Sequence, residues 1–159
     1  MKEPIRILVV DDNATFLEIV LEYLRRHDQL AVVGATQRSQ EALALAQQVH
    51  PQVVLLDLCM PDLPGLEVIP HLRASLPGVG IIILTQHSLE AYRQAALAAG
   101  ADDFVSKQRL IPDLLPAIRR CSFPETHGSR AGEARRAQAT LALRPDDRRR
   151  AVGELEAPE

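Results

Sequence analysis

The chain has 159 residues, 47% of them hydrophobic and 25% charged. That is enough apolar material for one packed domain with a tail, and it excludes wholesale disorder. A net charge of −3 and only 3% aromatic residues, with no Trp, argue against a chain built to hold nucleic acid or to stack bases, and they leave an aliphatic core.

The apolar pattern has a regular beat. Ile5–Val10 is a β-branched run, and Asn13–His27 has helical spacing with Phe16, Val20, Tyr23 and Leu24 on one face. Leu30–Ala35 reads as a second strand. Ser39–Val49 reads as a helix with Ser39 as its cap, stopped by Pro51. Val53–Leu56 is a short buried strand, Pro64–Ser75 a third helix and Val79–Leu84 a fourth strand. A fourth helix, α4, is expected from a cap at Ser88 to Ala99, with Gly100 ending it. Asp102–Ser106 is the fifth strand, β5. The last helix, α5, is expected to start near Pro112, with Pro116 distorting it.

Five βα units in a row, three of whose strands are continuously apolar, predict an α/β fold: a doubly wound, five-stranded parallel sheet covered on both faces. The domain is expected over residues 1–121, which hold 11 Lys and Arg against 14 Asp and Glu. Residues 122–159 have balanced charge and only five large apolar side chains: Phe123, Leu141, Leu143, Val152 and Leu155. They are expected to be a mostly disordered C-terminal tail without an output domain, with a transient helix at most over Glu133–Leu143. Cys59 and Cys121 are too few for a disulfide framework or zinc cluster. No apolar run has the length of a leader or a membrane span, so a cytoplasmic protein is expected.

Doubly wound sheets bind ligands beyond the carboxyl ends of their strands. Here those ends carry Asp11-Asp12, Asp57, Thr85 and Lys107. Two carboxylates about 5 Å apart repel by roughly 3 kcal/mol at an effective dielectric near 20, so one takes a proton or a cation sits between them. All-oxygen donors with open positions suit Mg²⁺, which bridges readily to a phosphoryl group. Lys107 supplies positive charge, Thr85 a short donor, and Asp57 a nucleophile able to form an acyl phosphate. None of these residues is specific alone; their succession at consecutive strand ends is.

In this succession the chain resembles the receiver domain of two-component response regulators, with its chemotaxis-type, flavodoxin-like (βα)5 fold. The segments that carry the resemblance are Ile7-Leu8-Val9-Val10-Asp11-Asp12-Asn13, Val54-Leu55-Leu56-Asp57-Leu58-Cys59-Met60-Pro61 with Gly65, Ile83-Leu84-Thr85, and Gly100–Lys107. The resemblance implies that Asp57 is the phospho-acceptor, charged by a sensor histidine kinase or phosphotransfer protein. It implies that Mg²⁺ is held by Asp12 and Asp57, by Asp11 through water, and by the backbone carbonyl of Cys59. Thr85 and Lys107 would bind the phosphoryl oxygens, and Thr85 with Phe104 would form the switch. Phe104 has no hydroxyl, so its part would rest on packing. Such a chain is a signalling switch rather than an enzyme, with at most self-catalysed phosphotransfer and autodephosphorylation.

Gln86 departs from the family, which usually has a small residue there, and it could crowd the pocket beside His87. Gln108 follows Lys107 where many members have Pro; a non-Pro residue after Ser-Lys is typical of the subgroup with a helix-turn-helix output. The short tail is expected to hold no such DNA-binding domain, and Arg148-Arg149-Arg150 to be a solvated charge run. Signalling is therefore expected through protein contact, including a possible homodimer through the α4-β5-α5 face, where Tyr92, Asp102, Asp103, Arg109 and Arg119 lie. One alternative is a non-phosphorylated receiver-like adaptor whose site Gln86 blocks. Another is an enzyme binding flavin or phosphate esters. Asp11-Asp12-Asn13 stands where that enzyme would need a glycine-rich loop.

Overall fold

Five strands, β1 (Ile5–Val10), β2 (Leu30–Thr36), β3 (Val53–Asp57), β4 (Gly80–Thr85) and β5 (Asp103–Ser106), form one parallel sheet in the order β2-β1-β3-β4-β5. The computed structural model describes residues 3–86 and 90–122. The expectations placed on His87, Ser88 and everything after Ser122 lie outside those residues. Five helices cover the sheet: α1 (Ala14–Arg25), α2 (Ser39–Val49), α3 (Gly65–Ser75), α4 (Glu90–Ala99) and α5 (Leu110–Ser122).

The strands are apolar on both faces because each face has its own core. Ile7, Val9, Leu55, Ile82 and Leu84 point toward α1 and α5, while Leu8, Val10, Leu56, Ile81 and Ile83 point toward α2, α3 and α4. Each fully buried Ile or Leu contributes roughly 2 kcal/mol. On α1 the buried stripe is Leu17, Val20 and Leu24, with Phe16 and Tyr23 only half-buried at its edge.

Local chemistry sets the helix ends. The Asn13 side chain accepts the Phe16 N–H at 3.0 Å and starts α1. Ser39 is not the cap of α2 but its first residue; Arg38 is the cap, without a side-chain bond, and Asp62 supplies the missing acceptor from another loop. Gly100, at φ +117°, ends α4 in a conformation that a side chain would strain. The last helix begins before Pro112, because a 3-10 turn over Lys107–Arg109 leads straight into Leu110. Pro112 then lies in the first turn, where N–H groups have no helical partner. Pro116 does not end the helix; it sits on the exposed side, where the carbonyl it leaves unpaired meets water.

The residues expected on the α4-β5-α5 face divide. Tyr92 is buried. Asp102 turns toward the amino end of the sheet, where it accepts from Arg73 at 2.6 Å and from the Ile81 N–H at 2.9 Å. Arg73 also donates to the carbonyls of Gly100, Pro77 and Val79. One guanidinium thus ties the end of α3 to the α4–β5 connection. Asp103 pairs with Arg120 and Arg109 with Asp113, all near the surface.

The side chains of Arg73 and Asp102 are only 14% and 21% exposed, so removing one partner strands the other. Arg73→Ala or Asp102→Ala should each lower unfolding free energy by roughly 2–4 kcal/mol. Urea denaturation of the two variants checks this, and a change below about 0.5 kcal/mol would contradict it.

Candidate functional site

The sheet order reverses beside β1: the chain steps outward to β2 and returns across β1 to β3. A crevice opens beyond the strand ends at such a switch point. Asp11 follows β1 and is held by its N–H bond to the Thr36 carbonyl at 3.1 Å. Asp57 is the last residue of β3, and its register partner on β4 is Leu84, one residue before Thr85. Thr85 in turn pairs with Ser106, one residue before Lys107. Parallel register alone therefore brings all four residues to one rim.

Asp11, Asp12 and Asp57 offer carboxylate oxygens that all lie within 4.8 Å of one another. Asp11 and Asp57 are buried, and Asp12 is exposed. Lys107 Nζ sits between the buried pair, 2.6 Å from Asp11 Oδ2 and 3.0 Å from Asp57 Oδ2. It also lies 4.2 Å from the centre of the Phe16 ring, a cation–π contact that helps hold the ammonium away from water. Asp57 Oδ1 accepts the Cys59 N–H at 3.0 Å, and Asp11 Oδ1 accepts the Asn13 N–H at 2.9 Å. A pocket of about 210 Å³ opens here, lined by Asp12, Asn13, Asp57, Cys59, Gln86 and Lys107.

Burial pushes the Asp57 carboxyl up to about 6, and the Asp11 charge adds to this, while Lys107 and the Cys59 N–H oppose it. Burial works to lower Lys107, but the two carboxylates outweigh it and raise its pKa. The Cys59 thiol is raised by burial and then by the Asp57 charge, so it is not an activated nucleophile. Burial also pushes Cys121 up to about 12.

The donor set fits a hard divalent cation. It is all oxygen, and three carboxylates share a single ammonium, which leaves a surplus of negative charge. Gly65 makes the site possible mechanically. A Cβ there would stand 2.4 Å from the Asp57 carbonyl oxygen and 2.9 Å from Leu58 Cα, so only glycine lets α3 press against the end of β3.

Residues 7–119 match the family model of the response regulator receiver domain. The chain belongs to this family. It is 36% identical over 117 residues to the probable transcriptional regulatory protein TcrX of Mycobacterium tuberculosis, covering 74% of this chain and 49% of that protein. It is 32% identical over 124 residues to the response regulator VraR of Staphylococcus aureus, covering 77% of this chain and 58% of the relative. Among solved structures, the response regulator domain of Thermotoga maritima CheB superposes with a TM-score of 0.68 at 30% identity, over 76% of this chain and 97% of that domain.

These findings correct the expected partners. The receiver was expected to act through protein contact alone, without a DNA-binding domain. Its relatives include a probable transcriptional regulatory protein. The chain spans about half the length of the curated relatives it matches, so the short stretch after α5 carries no statement about output. Among the described residues, no helix is long and apolar enough to cross a membrane.

Three residues at the site escaped the sequence pattern. Phe16 packs against the core beside α1 as expected, and its ring also faces Lys107, a second contact that the pattern does not show. Asn13 both caps α1 and lines the pocket, and a cap signature alone does not show the second role. Asp62 has no pattern at all, because its partners lie 22 and 23 positions earlier. Phe104 is half-buried against the core on the side of α2, α3 and α4.

A folded-state pKa of about 6 for Asp57, above its ordinary 3.8, means that the fold binds that proton more tightly than the unfolded chain does. Stability is then lost as pH rises from about 4 through 6, and the penalty is complete above that. With a chelator present, Asp57→Asn should be more stable than wild type at pH 7.5, by about 1–3 kcal/mol, and equal to it below about pH 4. Denaturant melts across that range decide the matter. A variant less stable than wild type at pH 7.5 would contradict the assignment.

Proposed function

We propose that this receiver accepts a phosphoryl group on Asp57 in a Mg²⁺-dependent reaction. The observation that carries the proposal is the placement of Asp57: its carboxylate lines an open pocket, 3.0 Å from Lys107 and within a three-carboxylate cluster. We place the phosphorylatable unit in residues 1–121.

An Asp57 carboxylate oxygen attacks phosphorus, the P–N bond of a phosphohistidine donor breaks, and the imidazole leaves with the bond's electron pair. The product is an acyl phosphate, and water later returns the phosphoryl group as inorganic phosphate. Asp11, Asp12, Asp57 and the Cys59 carbonyl would hold Mg²⁺, whose positive charge would offset that of the phosphoryl oxygens. Lys107 takes one of those oxygens. It already bridges Asp11 and Asp57, so it needs little reorganisation to do so. Thr85, fully buried at the end of β4, takes another through its hydroxyl. Movement of Thr85 changes the space against Phe104, which would pass the state of the site to the surface by packing.

Incubating the full chain with Mg²⁺ and acetyl phosphate should add one phosphoryl group by intact mass, and Asp57→Asn should abolish the addition. Thr85→Ala and Lys107→Met should each slow it, Lys107→Met by about 100-fold, the scale for removing one preorganised charge-stabilising donor. If no Mg²⁺-dependent modification appears with acetyl phosphate or beryllofluoride, the chain is the non-phosphorylated adaptor that Gln86 would produce by filling the pocket mouth.

A further inference from the structure

The cation donors come from two loops. One follows β1 and carries Asp11 and Asp12; the other follows β3 and carries Cys59. We infer that Asp62 is a positioning residue for this site, holding the second loop in place relative to the first by clamping it to the start of α2. The inference rests on the reading of the carboxylate cluster as a Mg²⁺ site.

The clamp can be followed bond by bond. Asp62 Oδ1 accepts the Ser39 N–H at 3.3 Å, and Oδ2 accepts the Gln40 N–H at 3.0 Å. These are two of the N–H groups that a helix start leaves without partners, and a carboxylate there also meets the positive end of the helix dipole. Burial is the largest single effect and opposes ionisation, but the N–H bonds from Gln40, Ser39, Leu63 and Asp62 itself together outweigh it and hold the Asp62 carboxyl below its ordinary range. The start of α2 is itself tied to the first loop. The Arg38 N–H donates to Thr36 Oγ1 at 3.2 Å, that hydroxyl donates to Glu41 at 2.9 Å, and the Thr36 carbonyl accepts the Asp11 N–H at 3.1 Å.

The ring therefore runs from Asp11 through Thr36 and Arg38 to Ser39 and Gln40, across to Asp62, and back along the loop to Cys59 and Asp57. The inner side of that loop is pinned by the Gly65 N–H bond to the Leu58 carbonyl at 3.1 Å. Between those pins Asp62 is the side chain that ties the loop to α2. Without it, the outer part of the β3–α3 loop loses its tie to α2, while Cys59 keeps its N–H bond to Asp57 and Asp11 stays anchored to β2. A cation that needs donors from both loops then pays for their alignment on binding.

The alternative is that Asp62 only caps α2. The two roles separate in a Mg²⁺ titration of the full chain by calorimetry, run beside a denaturant melt of each variant. Asp62→Ala should weaken Mg²⁺ binding by roughly 3- to 10-fold, at or below the lower end of what outer partners of metal ligands contribute. Asp62→Asn keeps one acceptor oxygen but sets an amide NH2 against the second N–H, so it should recover only part of the affinity. Adding Arg38→Ser to Asp62→Ala gives α2 a cap of its own and should restore stability while leaving Mg²⁺ binding weak. Unchanged Mg²⁺ affinity in Asp62→Ala, or its recovery together with stability in the double variant, would show a cap and nothing more. Wild type that binds no Mg²⁺ is a different result: it removes the metal-site reading, and the inference with it.

Discussion

The contact on which the site depends is Lys107 set between Asp11 and Asp57. Two buried carboxylates at this separation repel strongly, and the single ammonium makes their closeness tolerable. It does so incompletely: Asp57 keeps a raised pKa, and Asp12 adds a third carboxylate to the two that share the ammonium. A site in this condition has a surplus of negative charge and an unmet demand for positive charge. On that surplus rests the proposal that the site takes Mg²⁺ and, beside it, a phosphoryl group.

The parallel sheet makes such a cluster affordable. Its strands are buried on both faces by aliphatic side chains, so the strand ends are held rigidly although their side chains would push apart. The helices add finer control. α3 approaches the end of β3 closely because Gly65 has no side chain, and α2 reaches both acidic loops through Thr36 and Asp62. At the other end of the sheet, Arg73 gathers three carbonyls and Asp102, fixing the base from which β4 and β5 rise to Thr85 and Lys107. The stabilising contacts and the reactive ones thus occupy opposite ends of the same strands.

Most of the fold was legible in the sequence, because continuous β-branched runs separated by helical spacing admit few arrangements other than a covered parallel sheet. The element limits came within a few residues, and the misses have local causes. Ser39 looked like a cap because its own position favours one, but the acceptor comes from Asp62. Pro112 looked like a first helical residue, but the turn after Ser106 had already begun the helix. Asp102 looked like a surface acid, but it is consumed by Arg73 from α3, 29 positions away. The partners were misread for another reason: the amount of chain after a receiver says nothing about what receivers of this family are joined to.

By itself the sequence determined which residues stand at the strand ends, since strand periodicity and chain order place Asp11, Asp57, Thr85 and Lys107 there whatever the packing. Only the tertiary structure decided how they meet. It put one ammonium between two carboxylates, set Phe16 against Lys107 as well as against the core, and brought Asp62 to α2. Those contacts join side chains up to 96 positions apart, such as Lys107 and Asp11. Periodicity reports which face of an element a side chain occupies. The partner it finds there depends on the register between strands and the approach of the helices, which local patterns do not encode.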